Sequence, residues 1–370
     1  MVAIAGLGLA GWFLPWRMLL NVIAPPGSGP TVPGPEATDL LPRLTGAIYS
    51  NAKGQVDSVR LPGLAERRIA SPTPETKTVF PSIHSVSEPD RSGRVAYVEN
   101  RMGEPSTHAL RFAEGAGKPV RTLFTRPGDA LWDHVIGEHL TLTPDGERVA
   151  YVRNARGRQF AGAYLMQGVL ELLDTRTGKT TTTRLPALDE GLSWFPDGHQ
   201  LAFVGAVPRR SAPAAAAGKE GFGAGFAGWD ALPVVQILDV RTGKVRKLHV
   251  GWRPRVSTDG RKVLVEDMAT ENSGRFGSRW RLVDVRSGAS TAVTAPGAVG
   301  SVHALWPDGT VLYWGLPTAG TKLRETGSNG PLVGPKLELT LKVAVLNTTR
   351  FQTVVPYLDP RATATWGPVR

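Results

Sequence analysis

The sequence predicts an all-β fold: a six-bladed β-propeller over residues 41–370, closed by a C-terminal strand, with an N-terminal apolar helix ahead of it. Three observations carry this reading: a composition rich in turn formers, a hairpin element that recurs along the chain, and incomplete sets of strands at the two ends. Glycine (43) and proline (30) make up about a fifth of the 370 residues. That is too little for disorder but enough to demand many turns. The hydrophobic fraction of 41% supports a sizeable core, and long helix-period patterns are scarce, so short strands with tight connections follow.

The recurring element is a tight turn followed by an apolar strand. Thr143-Pro144-Asp145-Gly146 precedes Arg148–Val152, Phe195-Pro196-Asp197-Gly198 precedes Gln200–Val204, and Trp306-Pro307-Asp308-Gly309 precedes Val311–Tyr313. Variants stand at Ser257–Gly260 and Asp90–Gly93. Proline fixes φ, aspartate bonds the backbone within the turn, and glycine supplies the positive φ. A second element follows three of these: Leu172–Lys179, Ile237–Lys244 and Leu282–Gly288 each read as a strand, an Asp-x-Arg-Thr/Ser-Gly turn and a return strand. Together they form a four-stranded meander recurring every 45 to 65 residues or so, the size of a propeller blade.

Pro-Asp-Gly before an apolar strand, then Asp-x-Arg-Thr-Gly, resembles the WD-type repeat of TolB-like propellers over about residues 44–370. Blades then begin near Pro81, Glu138, Glu190, Trp252 and Ser301. The set before them, Gly46–Ser50, Asp57–Leu61 and Glu66–Ala70, has only three strands. The chain ends in Ala362–Pro368, which looks like a first strand with nothing after it, so it is expected to complete the N-terminal blade and close the ring.

Val2–Ile23 is apolar apart from Pro15, Arg17 and Asn21, and about 20 such residues cross a bilayer as a helix. Residues 1–24 are thus read as an uncleaved anchor, a cleaved signal or a buried helix, in that order. No cationic start precedes the run. Residues 25–40, rich in proline and glycine at their start, are read as a spacer. The formal charge of +11 implies attraction to anionic surfaces. Zero cysteines exclude disulfides, thiol catalysis and zinc-cysteine sites.

In such a meander the short turns share one face, and the longer segments 153–166, 205–233, 267–278 and 315–336 share the other. Loops on a rigid scaffold concentrate binding residues. The candidate binding set is Arg153, Arg156, Arg158, Arg209, Arg210, Trp229, Arg275 and Arg279, for a protein or other anionic partner. The alternative is solvated loop charge.

Catalytic motifs are missing. Gly178-Lys179-Thr180 lacks the upstream glycine of a phosphate loop, since Leu173 stands there. No Gly-x-Ser-x-Gly elbow is present. His134 and His139 lack zinc-protease spacing and read as structural or surface residues. Asp189-Glu190 and Glu266-Asp267 are rim ligands for a cation or turn caps. The expected protein is a non-enzymatic interaction scaffold and a monomer, without cofactor, metal or nucleic acid. By the TolB-like resemblance it is anchored on the outside of the membrane. The alternative is a propeller hydrolase or lyase with its active site at the central channel.

Overall fold

The computed structural model describes residues 37–40, 46–50, 55–61, 65–74, 79–103, 106–127, 136–160, 163–211, 231–267, 279–296, 298–315, 339–358 and 364–367. The apolar segment Val2–Ile23 and the spacer up to residue 36 lie outside them. Among the described residues no helix is long and apolar enough to cross a membrane.

Among the described residues, twenty-three strands follow in chain order: β1 (Gly46–Ser50), β2 (Val56–Leu61) and β3 (Ala65–Ala70); β4 (Val79–Val86), β5 (Val95–Gly103), β6 (Thr107–Ala113) and β7 (Val120–Pro127). Next come β8 (Ile136–Leu142), β9 (Arg148–Phe160), β10 (Ala163–Asp174), β11 (Thr180–Trp194), β12 (Gln200–Pro208), β13 (Ala231–Asp239) and β14 (Val245–Val250). The last are β15 (Trp252–Val256), β16 (Lys262–Asp267), β17 (Arg279–Asp284), β18 (Ser290–Val293), β19 (Ala298–Leu305), β20 (Thr310–Gly315), β21 (Leu339–Val345), β22 (Phe351–Leu358) and β23 (Ala364–Gly367). They form four four-stranded antiparallel sheets, β23-β1-β2-β3, β4–β7, β15–β18 and β19–β22, and one seven-stranded sheet, β8–β14. The fold is an all-β propeller.

The C-terminal strand does join the first three: Ala47 to Ser50 of β1 pair antiparallel with Gly367 to Ala364. In the seven-stranded sheet, β11 pairs with β10 from Thr180 to Leu188 and with β12 from Leu188 to Trp194. The chain bends between these halves at Gly191, where φ is +112°.

Turn chemistry is as the sequence predicts. The Asp145 carboxylate accepts the Glu147 N–H at 2.9 Å, Asp197 that of His199 at 2.8 Å, Asp259 that of Arg261 at 3.1 Å and Asp308 that of Thr310 at 2.9 Å. At the second turn Asp174 accepts the N–H groups of Arg176 and Thr177, and Asp239 and Asp284 do the same one and two repeats later. These backbone bonds, led by those from Thr177, Thr242 and Ser287, hold the three carboxyls below their ordinary value. The two turns of one meander also touch: Thr175 donates its N–H to Glu147 O, Val240 to His199 O and Val285 to Arg261 O. They therefore share one end of the ring, here the turn face, and the longer connections lie at the other, the connection face.

Core packing runs between neighbouring sheets, and strand alternation explains it. Val149 and Tyr151 of β9 pack on Ala96, Val98, Leu110 and Phe112 of the preceding sheet. Ala150 and Val152 face Leu192, Trp194, Leu201 and Phe203 instead. Strands buried on both faces are continuous apolar runs for this reason.

Two expectations change. The segment Arg153–Met166 is not irregular: β9 and β10 continue as a two-stranded ribbon, with Phe160 opposite Ala163. Cross-strand pairing organises these residues despite their weak apolar alternation. Residues 37–40 are not spacer. Leu40 is 2% exposed in the core layer with Ile48 and Leu341, Ala37 donates its N–H to Phe351 O, and Asp39 pairs with Arg350.

Candidate functional site

Of the predicted binding set, only the side chains of Arg153 and Arg210 lie among the described ones. Arg153 lies in β9, where its Nε donates to Glu171 at 2.5 Å. Glu171 is 2% exposed and also accepts from the Tyr151 hydroxyl at 2.8 Å and the Thr182 hydroxyl at 2.9 Å. Arg153 thus belongs to a structural network. Arg210 is exposed in the short 3-10 turn Arg209–Ser211 after β12. Arg156 and Arg158 fall on the β9 ribbon, Arg209 begins that turn and Arg279 begins β17, with side chains outside the described ones. Trp229 and Arg275 lie outside the described residues.

A polar cluster converges at the connection-face end of the inner strands. His139 comes from β8, Asp189 and Glu190 from the bend of β11, Arg253 from β15 and Glu266 from β16. Inner strands neighbour one another around the ring, β8 against β11 and β11 against β15, which brings these residues together. Asp189 accepts the His139 backbone N–H at 3.2 Å, and its carboxylate stands 3.3 Å from His139 Nδ1. Arg253 Nη1 donates to Glu266 at 3.1 Å, while its Nε is 3.9 Å from Glu190. Gly191 permits this approach, because a Cβ there would stand 2.8 Å from Arg253 Cα.

The electrostatics are uneven. Burial pushes the Glu190 carboxyl above its ordinary value; Arg253 and His139 only partly oppose this, and Asp189 and Glu266 add to it. For His139, burial alone would lower the imidazole, but the hydrogen bond and charge of Asp189, with Glu190 behind it, outweigh burial and Arg253 and leave it raised. Among the described residues no three His, Asp or Glu side chains are placed to hold a metal.

A raised imidazole stabilises the fold below its unfolded value, near 6.5, and that contribution is lost as pH rises through the folded value. Thermal melts from about pH 5.5 to 8.5 should therefore show the wild type losing stability more steeply than His139→Gln. Parallel profiles would mean that the imidazole does not sense this cluster.

Sequence reasoning found the acid pairs but read His139 as a structural or surface residue and passed over Arg253. Only the adjacency of β8, β11 and β15 links them.

No family model and no curated protein matches the chain. Solved structures do. A protein assigned as TolB in Agrobacterium tumefaciens is 12% identical, over 88% of this chain and 99% of that one, with a TM-score of 0.47. An oligogalacturonate lyase in complex with manganese is 14% identical, over 73% and 70%, with a TM-score of 0.46. An acylaminoacyl peptidase from Pyrococcus horikoshii is 13% identical, over 75% of this chain and 39% of that one, with a TM-score of 0.43. Likeness at this level carries no argument about activity. By its own repeats and sheet topology, the chain is an all-β propeller similar to the TolB-like proteins.

Proposed function

We propose that the chain is a six-bladed, non-catalytic binding propeller of the cell envelope, whose connection face takes a protein partner that seats one basic side chain in the mouth of the ring. The observation that carries this is the mouth itself, where residues from four strands converge. Three carboxylates against one guanidinium and one imidazole leave it acidic. Glu190, whose charged form is disfavoured there, gains from an incoming ammonium or guanidinium. Exposed Arg210, after β12 at the connection-face end, suits an acidic surface on the same partner.

Six blades follow if the seven-stranded sheet is two meanders sharing β11. Support comes from Gly191, which bends β11 as Gly251, with φ of +139°, bends the passage from β14 to β15. The core layers fall between successive meanders in keeping with that count. Membrane attachment through Val2–Ile23 and a position outside the cytoplasm rest on the apolar run and the TolB-like resemblance.

The chain has no cysteine, so Arg210→Cys and Arg286→Cys each introduce a single thiol, one on the connection face and one on the turn face. A membrane-impermeant maleimide photocrosslinker added to spheroplasts should yield partner adducts from residue 210 and none from residue 286. Glu190→Gln with Glu266→Gln should cut the yield about tenfold. Labelling only after lysis would place the domain inside, and adducts indifferent to the two glutamines would sink the mouth as the site.

A second reading is favoured by the same convergence: His139 and Glu190 as the acid–base pair of an enzyme. It requires turnover that Glu190→Gln abolishes while partner capture persists.

A further inference from the structure

The repeated turns place four residues at one level of the ring and a fifth one residue beyond it. Each turn is closed by a glycine N–H donating to a carbonyl three residues earlier: Gly93 to Asp90, Gly146 to Thr143, Gly198 to Phe195, Gly260 to Ser257 and Gly309 to Trp306. Two residues before each acceptor stand Glu88, Thr141, Ser193, Arg255 and Ala304. The last four pair with Ala150, Ala202, Leu264 and Leu312, whereas in the β4–β5 hairpin Ser87 holds that level, its N–H donating to Ala96 O, and Glu88 follows it. Two of the five are charged, with opposite sign, and they pair: Arg255 Nη1 meets Glu88 Oε1. Glu88 follows β4 and Arg255 lies in β15, and the whole seven-stranded sheet separates them along the chain. Their contact therefore crosses the interior of the ring.

Arg255 is prepared for a planar anion. Its Nε donates to Val302 O on β19 at 3.2 Å, which fixes the guanidinium plane and leaves the Nη edge turned inward. The side chains of Arg255 and Glu88 remain 16% and 22% exposed, although the atoms that meet, Nη1 and Oε1, are themselves buried. Burial lowers Arg255 to about 10, still protonated at neutral pH. Such a pair is no more stabilising than apolar packing of the same volume, so fold stability does not account for it.

Two further observations point to a ligand. The Thr141 hydroxyl, at the same level, is 1% exposed and has no hydrogen-bond partner. A buried hydroxyl left so is costly unless something else meets it. At the turn face, exposed Arg91 reaches from the β4–β5 turn to Pro196 O, its Nη2 donating at 2.9 Å, and sets a second guanidinium at that end. The acids of the mouth lie at the opposite end of the ring.

We infer that Arg255 anchors a carboxylate-binding site inside the ring, entered from the turn face, and that Glu88 occupies it in the free protein in place of the ligand. The ligand is a carboxylate, carried by a small organic acid or by a peptide terminus. It forms a forked pair with the Nη edge and accepts from Thr141, while Glu88 turns to water. This site shares no residue with the connection-face mouth and stands or falls separately.

The test uses Glu88→Gln with three probes: acetate, triglycine and triglycine amide, followed by titration calorimetry and the NMR shift of Arg255 Nε–H. Glu88→Gln should bind acetate or triglycine about tenfold more tightly than wild type and ignore the amide. Glu88→Gln with Arg255→Lys should lose that binding, because an ammonium cannot form the fork. Equal affinity for acetate and triglycine identifies a small-acid site; preference for triglycine identifies a chain terminus. A folded Glu88→Gln that gains affinity for neither probe, or binding undiminished by Arg255→Lys, overturns the inference. Should Glu88→Gln melt early, the wild-type Arg255 Nε–H under saturating acetate reads the same competition: a shift supports the site, and no shift overturns it.

Discussion

Removing Ala362–Arg370 is expected to abolish single cooperative unfolding. The deletion takes away β23, which pairs with β1 from Ala47 to Ser50. All five residues of β1 are buried, so its inner edge would be left as unpaired backbone in the middle of the ring. β23 also touches both neighbours: it lies against β19, and Gly367 abuts Pro89 after β4 so closely that a Cβ would collide with it. Four paired residues at about 1 kcal/mol per hydrogen bond, together with lost packing, give a cost of roughly 3–5 kcal/mol. Because the strand closes a ring, the loss also frees the first and last blades to part. Calorimetry of the truncated chain decides it: one transition at the wild-type temperature would refute closure by this strand.

Gly251→Ala should destabilise the fold by about 3 kcal/mol. Gly251 holds φ at +139°, and a Cβ there would lie 2.6 Å from Glu266 O and press on Val265 Cγ1. Positive φ costs roughly 1 kcal/mol for alanine, and forcing apart a packed backbone adds about 1–3 kcal/mol. Gly288 is the control, with φ of +72° and no atom within 4 Å of its would-be Cβ. Gly288→Ala should therefore cost only the backbone share, near 1 kcal/mol. Urea melts of the two variants measure the difference. Equal midpoints would show that the bend from β14 to β15 is not tight, and with it the placement of Glu266.

The ribbon at Arg153–Met166 shows where sequence reading fails. Arg153, Arg156, Arg158 and Gly157 offer no apolar alternation, so a loop was the natural expectation. The strands form by backbone pairing, with Arg158 in register with Leu165 and Gln159 with Tyr164. Strand propensity depends on such partners more than on the residue itself. For Arg153 the missing information is its partner, Glu171, which faces it from β10. Its charge is visible in the sequence, and its neutralisation is not.

By itself the sequence determined the turns, the meanders and the joining of the chain's two ends. Asp145, Asp197, Asp259 and Asp308 each bond a backbone N–H two residues on, an interaction within one turn that leaves its mark as adjacent letters. The three strands left over after Gly46 and the one left over before Arg370 were a matter of counting. Only the tertiary structure decided that His139, Glu190, Arg253 and Glu266 share one mouth, and that Glu88 reaches Arg255. Those contacts arise from the order of inner strands around a ring, where spatial neighbours are whole meanders apart in sequence. No local pattern records them, because burial and the charge of a facing residue shift a carboxyl or a guanidinium through space, not along the chain.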